Sequence, residues 1–150
     1  MKLQWLGVAA LALLAGSSIA LRPAARPGPV VTVYKSASCG CCAKWVDHMR
    51  AAGFTVHVHD TEDLSEVMSS FGVPSQLGSC HTASVGGYVI EGHVPADLVK
   101  RLLAEHPAVA GLAVPGMVAG SPGMEQGRAQ AYDVVAWDKQ GRTSVYAHQR

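Results

Sequence analysis

Three observations predict a mixed α/β domain. The β-branched run Val30-Val31-Thr32-Val33-Tyr34 reads as a buried strand. A short loop then carries Cys39-Gly40-Cys41-Cys42, which holds three of the chain's four cysteines. Beyond it, apolar residues recur at helical spacing, and further strand-like and helix-like runs alternate to the C-terminus. Such alternation means helices laid on a sheet.

The elements follow in order. After strand 30–34, Cys42, Trp45, Val46 and Met49 fall at i, i+3, i+4 and i+7, so a helix is expected over Cys41–Ala52 with Gly53 as its stop. Phe54 to His59 alternates as a second strand, with Val56 and Val58 on one face and His57 and His59 on the other. Asp60-Thr61-Glu62-Asp63 offers caps for a short helix ending near Gly72, and Val73-Pro74 follows. Thr82 to Ile90 reads as two strands broken at Gly86-Gly87. Pro95 opens a helix that buries Leu98, Leu102 and Leu103 and stops at Pro107. Ala108 to Gln126 is read as a long Gly/Pro-rich loop, a feature that usually carries function. Tyr132–Trp137 and Thr143–Ala147, joined by Asp138-Lys139-Gln140-Gly141, close the chain as a hairpin. A Cys-x-x-Cys loop entering the first helix in this order resembles a thioredoxin-like α/β fold: a mixed sheet with flanking helices, here with the long loop and a C-terminal β-hairpin added. Cys39 and Cys42 stand where that fold keeps its redox pair, and Val73-Pro74 where it keeps a proline facing the pair.

Residues 1–20 read as an export signal: Lys2, an apolar run from Leu6 to Ala15, and the small-x-small site Ser18-Ile19-Ala20. That run is short for a bilayer span, which needs about 20 apolar residues; an uncleaved anchor is the alternative, and the only route to a membrane. Residues 21–29, with three prolines, read as a flexible tether, and 30–150 as the folded domain. With Lys2 set aside, 11 basic residues face 11 acidic ones, and only 15% of the chain is charged. No basic footprint for nucleic acid exists.

In an exported domain, four cysteines would ordinarily suggest two disulfides. A cluster this local closes almost no loop, and a disulfide's stabilisation grows with the loop it closes. Reactive or metal-binding thiols are therefore expected. The free N–H groups and positive dipole end at the helix start favour a thiolate there, and Gly40 lets the backbone turn tightly enough for the sulfurs to converge. Cys80 is expected opposite as a fourth sulfur, its bland alternative being a buried inert residue. Adjacent Cys41 and Cys42 suit one tetrahedral zinc poorly. Sulfurs bridging several soft Cu(I) ions suit them better.

The resemblance then becomes specific. Cys39-Gly40-Cys41-Cys42 with Trp45 and His48, Ser79-Cys80-His81-Thr82-Ala83, Gly87 to Pro95, Gly111 to Met117, and Gly120-Ser121-Pro122-Gly123-Met124-Glu125 resemble the successive motifs of the CopG-type copper-resistance proteins. The likeness runs from about Val30 to the C-terminus. It implies a periplasmic, thioredoxin-like protein whose Cys39, Cys41, Cys42 and Cys80 hold a multinuclear copper cluster, with a role in copper resistance and copper redox handling. A copper-dependent oxidoreductase lies within that scope, and the implied partners are copper ions and other periplasmic copper-handling proteins. Val118-Ala119 departs from the pattern, which would place a proline beside the methionine.

Other candidates carry a bland alternative each. His81 beside Cys80 is the histidine expected nearest the metal, or else a loop side chain bonded to backbone. Met117 and Met124, in two Gly-Met turns, offer thioethers to Cu(I) or simply plug the loop onto the core. His93 precedes a helix start, as a cap or a metal neighbour. His48 lies about 10 Å along the helix from Cys41 at 1.5 Å per residue, so it is read as orienting. His57 and His59 read as a surface pair. The competing function is thiol–disulfide exchange at Cys39/Cys42; a structural zinc domain is weaker, since a chain that is 49% hydrophobic can fold on its own core.

Overall fold

The structure, a computed structural model, describes residues 27–150. The expected export signal and tether residues 21–26 lie outside the described residues. The elements are β1 (Val30–Lys35), α1 (Gly40–Ala51), β2 (Thr55–Asp60), α2 (Leu64–Ser70), a 3-10 turn (Ser75–Leu77), β3 (His81–Val85), β4 (Tyr88–Glu91), α3 (Ala96–Glu105), β5 (Gly111–Ala113), β6 (Tyr132–Trp137) and β7 (Thr143–Gln149). They build one seven-stranded sheet in the order β2-β1-β3-β4-β5-β6-β7. β1 and β2 are parallel, as a crossover through α1 demands, while β3 runs antiparallel to β1 and β4 to β3. This inner block is the thioredoxin-like α/β unit. Strands β5 to β7 extend it past β4.

Side-chain alternation splits the sheet into two faces. On one, Val31, Val33, Ala83, Ile90, Leu112 and Ala136 meet the apolar stripes of α1 (Trp45, Val46, Met49) and α3 (Leu98, Val99, Leu102) in the main core. Leu103, expected inside, is only partly buried at its margin. On the other face, Val73, Leu77, Ala113 and Trp137 form a second cluster with Met68 and Phe71. Among the described residues no helix is long and apolar enough to cross a membrane. Gly28 and Pro29, at the end of the segment read as a tether, lie against Gly53 and Thr55, whose N–H donates to the Pro29 carbonyl.

Two expectations need correcting. The stretch 108–126 is not all loop: Gly111–Ala113 forms β5 between β4 and β6. Only glycine fits at 111, where a Cβ would sit 2.1 Å from the Val89 carbonyl oxygen and 2.5 Å from the Trp137 ring. Nor is Val73-Pro74 the pair set against the cysteines. Val73 packs in the second cluster and Pro74 caps the 3-10 turn. The residue brought opposite, just before β3, is Cys80.

Candidate metal centre

The centre forms where the start of α1 meets the start of β3. Cys39 caps α1: its Sγ accepts the Cys42 N–H at 3.3 Å. With the cap at 39, Cys42 points inward and is fully buried, while Cys41 stays partly exposed. Cys80 approaches from the opposite side, its carbonyl oxygen 3.3 Å from Cys42 Sγ and its own sulfur 4.0 Å from that of Cys41. Cys39 and Cys41 sulfurs lie 3.5 Å apart. All four sulfurs fall within 4.8 Å of one another. Cys39 and Cys42 are joined as a disulfide, leaving Cys41 and Cys80 free. The bond joins the two cysteines expected at the redox-pair position of the fold. The short loop makes the bond a poor staple, but a sulfur at the cap and a sulfur one turn on lie side by side.

A second donor group shares Cys80. Its sulfur lies 3.0 Å from His93 Nε2 and 3.5 Å from His81 Nδ1, and these three residues again meet within 4.8 Å. Both imidazoles are fully buried under α1, with the Trp45 ring 4.5 Å from that of His81 and the His81 ring edge-on to His93 at 5.0 Å. Burial, and the neighbouring His93, push the His81 pKa down to about 3. Its Nε2 is enclosed without a hydrogen-bond partner, and the nearby Gly92 backbone pulls the pKa the other way. Burial also lowers His93. Both rings are therefore neutral and able to ligate. Cys80 moves the opposite way, pushed up to about 12 by burial and by the Cys41 sulfur beside it, so its thiol keeps its proton.

Backbone contacts hold this arrangement. Trp45 Nε1 donates to the Val94 carbonyl at 2.9 Å, and the Ala96 N–H donates to His48 Nε2 at 3.0 Å. Two side chains of α1 thus grip the segment that carries His93. His48 caps the start of α3. The long loop supplies a third hold: His93 Nδ1–H donates to the Pro122 carbonyl at 2.7 Å. Neither Pro122 nor the fully buried Glu91 stood out in the sequence. Glu91 accepts the Ser79 N–H and the Thr82 hydroxyl, both at 2.7 Å, and so anchors both flanks of Cys80-His81. Strand alternation through Thr82 and Glu91 was the signal that could have found it.

Met117 and Met124 lie on the Cys41 side of the centre. With Gly40, Cys41, Lys44, Gly123 and Gln126 they line a cavity of about 400 Å³ beside the exposed side of Cys41, and Met117 is 56% exposed. The remaining histidines stay out of the centre. His57 and His59 are exposed on edge strand β2, His59 stacked on Tyr34; His106 ends α3, and His148 pairs with Asp133 on the surface.

A thioredoxin-like fold that gathers four cysteines and two histidines where the first helix meets β3 defines a class: a thioredoxin-like protein with residues that could hold a metal ion. The family model described as a protein of unknown function, DUF411, matches residues 77–124. Two solved structures of copper resistance protein copG are similar to this chain. Form 2 is 45% identical, covers 82% of this chain and 99% of its own, and superposes with a TM-score of 0.78. Form 1 is 46% identical, covers 83% and 98%, and has a TM-score of 0.77. A comparison with curated proteins found no match. The chain belongs to the family of these copper resistance proteins.

Proposed function

We propose that this protein is an exported copper-handling protein that holds Cu(I) through Cys39, Cys41, Cys42 and Cys80, as a thiolate-bridged cluster of more than one ion. The observation that carries the reading is the convergence of four sulfurs within 4.8 Å, with Cys80 shared with two neutral buried imidazoles. Soft thiolates and imidazole favour Cu(I) over harder ions, and a sulfur common to two donor groups suits a bridge. The orphaned Nε2 of His81 is a further polar atom that a ligand would satisfy. Cys39 and Cys42 must be reduced before all four sulfurs can serve. Copper supplies one-electron chemistry when bound, and redox handling in copper resistance is part of the same reading. Met117 and Met124 flank the path to Cys41. The expected location is the periplasm, where other copper-handling proteins are the partners.

The disulfide at Cys39–Cys42 favours a second reading, thiol–disulfide exchange with other proteins. One experiment separates the two. Anaerobically reduced protein is titrated with Cu(I) against a competing chelator, with stoichiometry by elemental analysis, beside Cys80→Ser. More than one copper per chain, falling sharply in the variant, supports the cluster. One copper or none, indifferent to Cys80, together with disulfide reductase activity, transfers the assignment to exchange.

A further inference from the structure

A carbonyl oxygen can only accept a hydrogen bond, so the 2.7 Å contact between Pro122 O and His93 Nδ1 requires the proton on Nδ1. In a neutral ring this leaves Nε2 bare, and Nε2 is the atom 3.0 Å from Cys80 Sγ. The opposite tautomer would present an N–H to the sulfur and no lone pair for a metal. We propose that the Pro122-Gly123 turn is a positioning element that assigns the tautomer of His93 and thereby makes its Nε2 a metal donor. The inference rests on the copper reading above and adds to it a residue pair outside the donor set.

The turn is built for this position. Its own hydrogen bonds fold it: Ser121 N–H to the Val118 carbonyl, Met124 N–H to the Ser121 carbonyl, and Gly120 N–H to the Met124 carbonyl, at 3.2, 2.8 and 2.7 Å. The Gly123 N–H is bound by the Glu125 carboxylate at 2.6 Å. Gly123 itself has φ +87 and lies flat on the start of α1. A Cβ there would stand 2.7 Å from the Cys41 carbonyl oxygen, 3.0 Å from the Trp45 nitrogen and 3.3 Å from His93 Nδ1. Any side chain at 123 must push the turn, and the carbonyl it carries, off the ring. The loop's other shoulder is tied to the Cys80 side, where Ser79 Oγ donates to the Gly116 carbonyl and the Gly116 N–H donates to that of Gly78. The loop therefore grips both ligand-bearing segments, with the His93 contact between the two grips.

The test reads the metal-free protein first. In reduced, ¹⁵N-histidine-labelled protein, His93 is expected as a single tautomer, pyrrole-type at Nδ1 and pyridine-type at Nε2. Gly123→Ala is expected to give mixed tautomers and a Cu(I) affinity about 10- to 100-fold lower, the usual cost of losing such a support. Glu125→Ala, at a surface position that leaves the core intact, is expected to shift both readouts the same way by less. Pro122→Ala keeps the carbonyl and is expected to keep both. An Nε2–H tautomer in the wild type overturns the proposal. So does an unchanged single tautomer with unchanged affinity in folded Gly123→Ala and Glu125→Ala. The tautomer is read without copper: a wild type that shows it yet takes up no Cu(I) supports the positioning role while sinking the copper reading.

Discussion

His93 Nε2 stands 3.0 Å from Cys80 Sγ, pairing a bare imidazole nitrogen with a thiol that holds its proton. A metal ion taken between them must displace that proton, because the thiolate is the ligand. With Cys80 pushed up to about 12, the displacement is required across the whole neutral range. The apparent affinity of this position for Cu(I) is expected to rise about tenfold per pH unit from Cys80 alone. Chelator competition at several pH values measures the slope, and Cys80→Ser should lower it by one proton. An identical slope in the variant would mean that Cys80 takes no part.

Glu91 predicts a pH dependence of stability. Burial raises its pKa to about 7, against an ordinary value near 4.5, although Thr82 and Ser79 donate to it. The folded state binds this proton more tightly than the unfolded one. Its stabilisation is therefore complete below about pH 4.5 and is lost as pH rises through about 7. The shift corresponds to at most roughly 3 kcal/mol. Urea unfolding of the metal-free protein at pH 5 and pH 8 should show the loss. Glu91→Gln, which can accept from Ser79 and donate to Thr82, should remove this contribution to the slope.

Trp45→Phe keeps the ring packing on His81 but removes the hydrogen bond to the Val94 carbonyl. An unsatisfied buried acceptor costs about 1–3 kcal/mol. Because Val94 follows His93, Cu(I) affinity should fall along with the midpoint of unfolding. Loss of stability with copper affinity untouched would show that α1 does not position the His93 segment through this bond.

Gly111→Ala tests the sheet extension. Its Cβ would collide with the Val89 carbonyl and the Trp137 ring, and overpacking of this kind costs about 1–3 kcal/mol. Near-ultraviolet circular dichroism of Trp137 and thermal melts would follow it. A variant as stable as the wild type would contradict the tight fit of β5 between β4 and Trp137.

The inner fold was legible because its signals are local. The β-branched run gave β1, the i, i+3, i+4, i+7 spacing gave α1, and Pro95 with Pro107 bounded α3. β5 was hidden because Gly111-Leu112-Ala113 is three residues long and has only one sizeable side chain; it is a strand because partners exist on both sides. Cys80 was expected opposite the cluster, and it is there. The proline expected to face the pair was misplaced because a Val-Pro dipeptide marks only a break in local structure.

The site was legible in its sulfurs and much less in what holds them. Residue type and spacing announce thiols, whereas a hydrogen bond from His93 to a carbonyl 29 residues later leaves no trace in either sequence segment. Glu91 was passed over for a related reason, although strand alternation placed it on one face with Thr82. A charged residue in a strand reads as solvent-facing until the sheet is known to be covered on both faces.

The donors lie far apart along the chain: three thiols at 39–42, a fourth at 80, imidazoles at 81 and 93, and the orienting carbonyl at 122. Long-range pairings of this kind form late, after the loops between them have closed. A chain still emerging or half folded therefore offers an ion only the first three thiols, which are exposed and able to pair wrongly. On the proposed copper reading, timing becomes part of the chemistry: loading is expected to follow folding, because metal or oxidant arriving earlier would meet the local trio without Cys80.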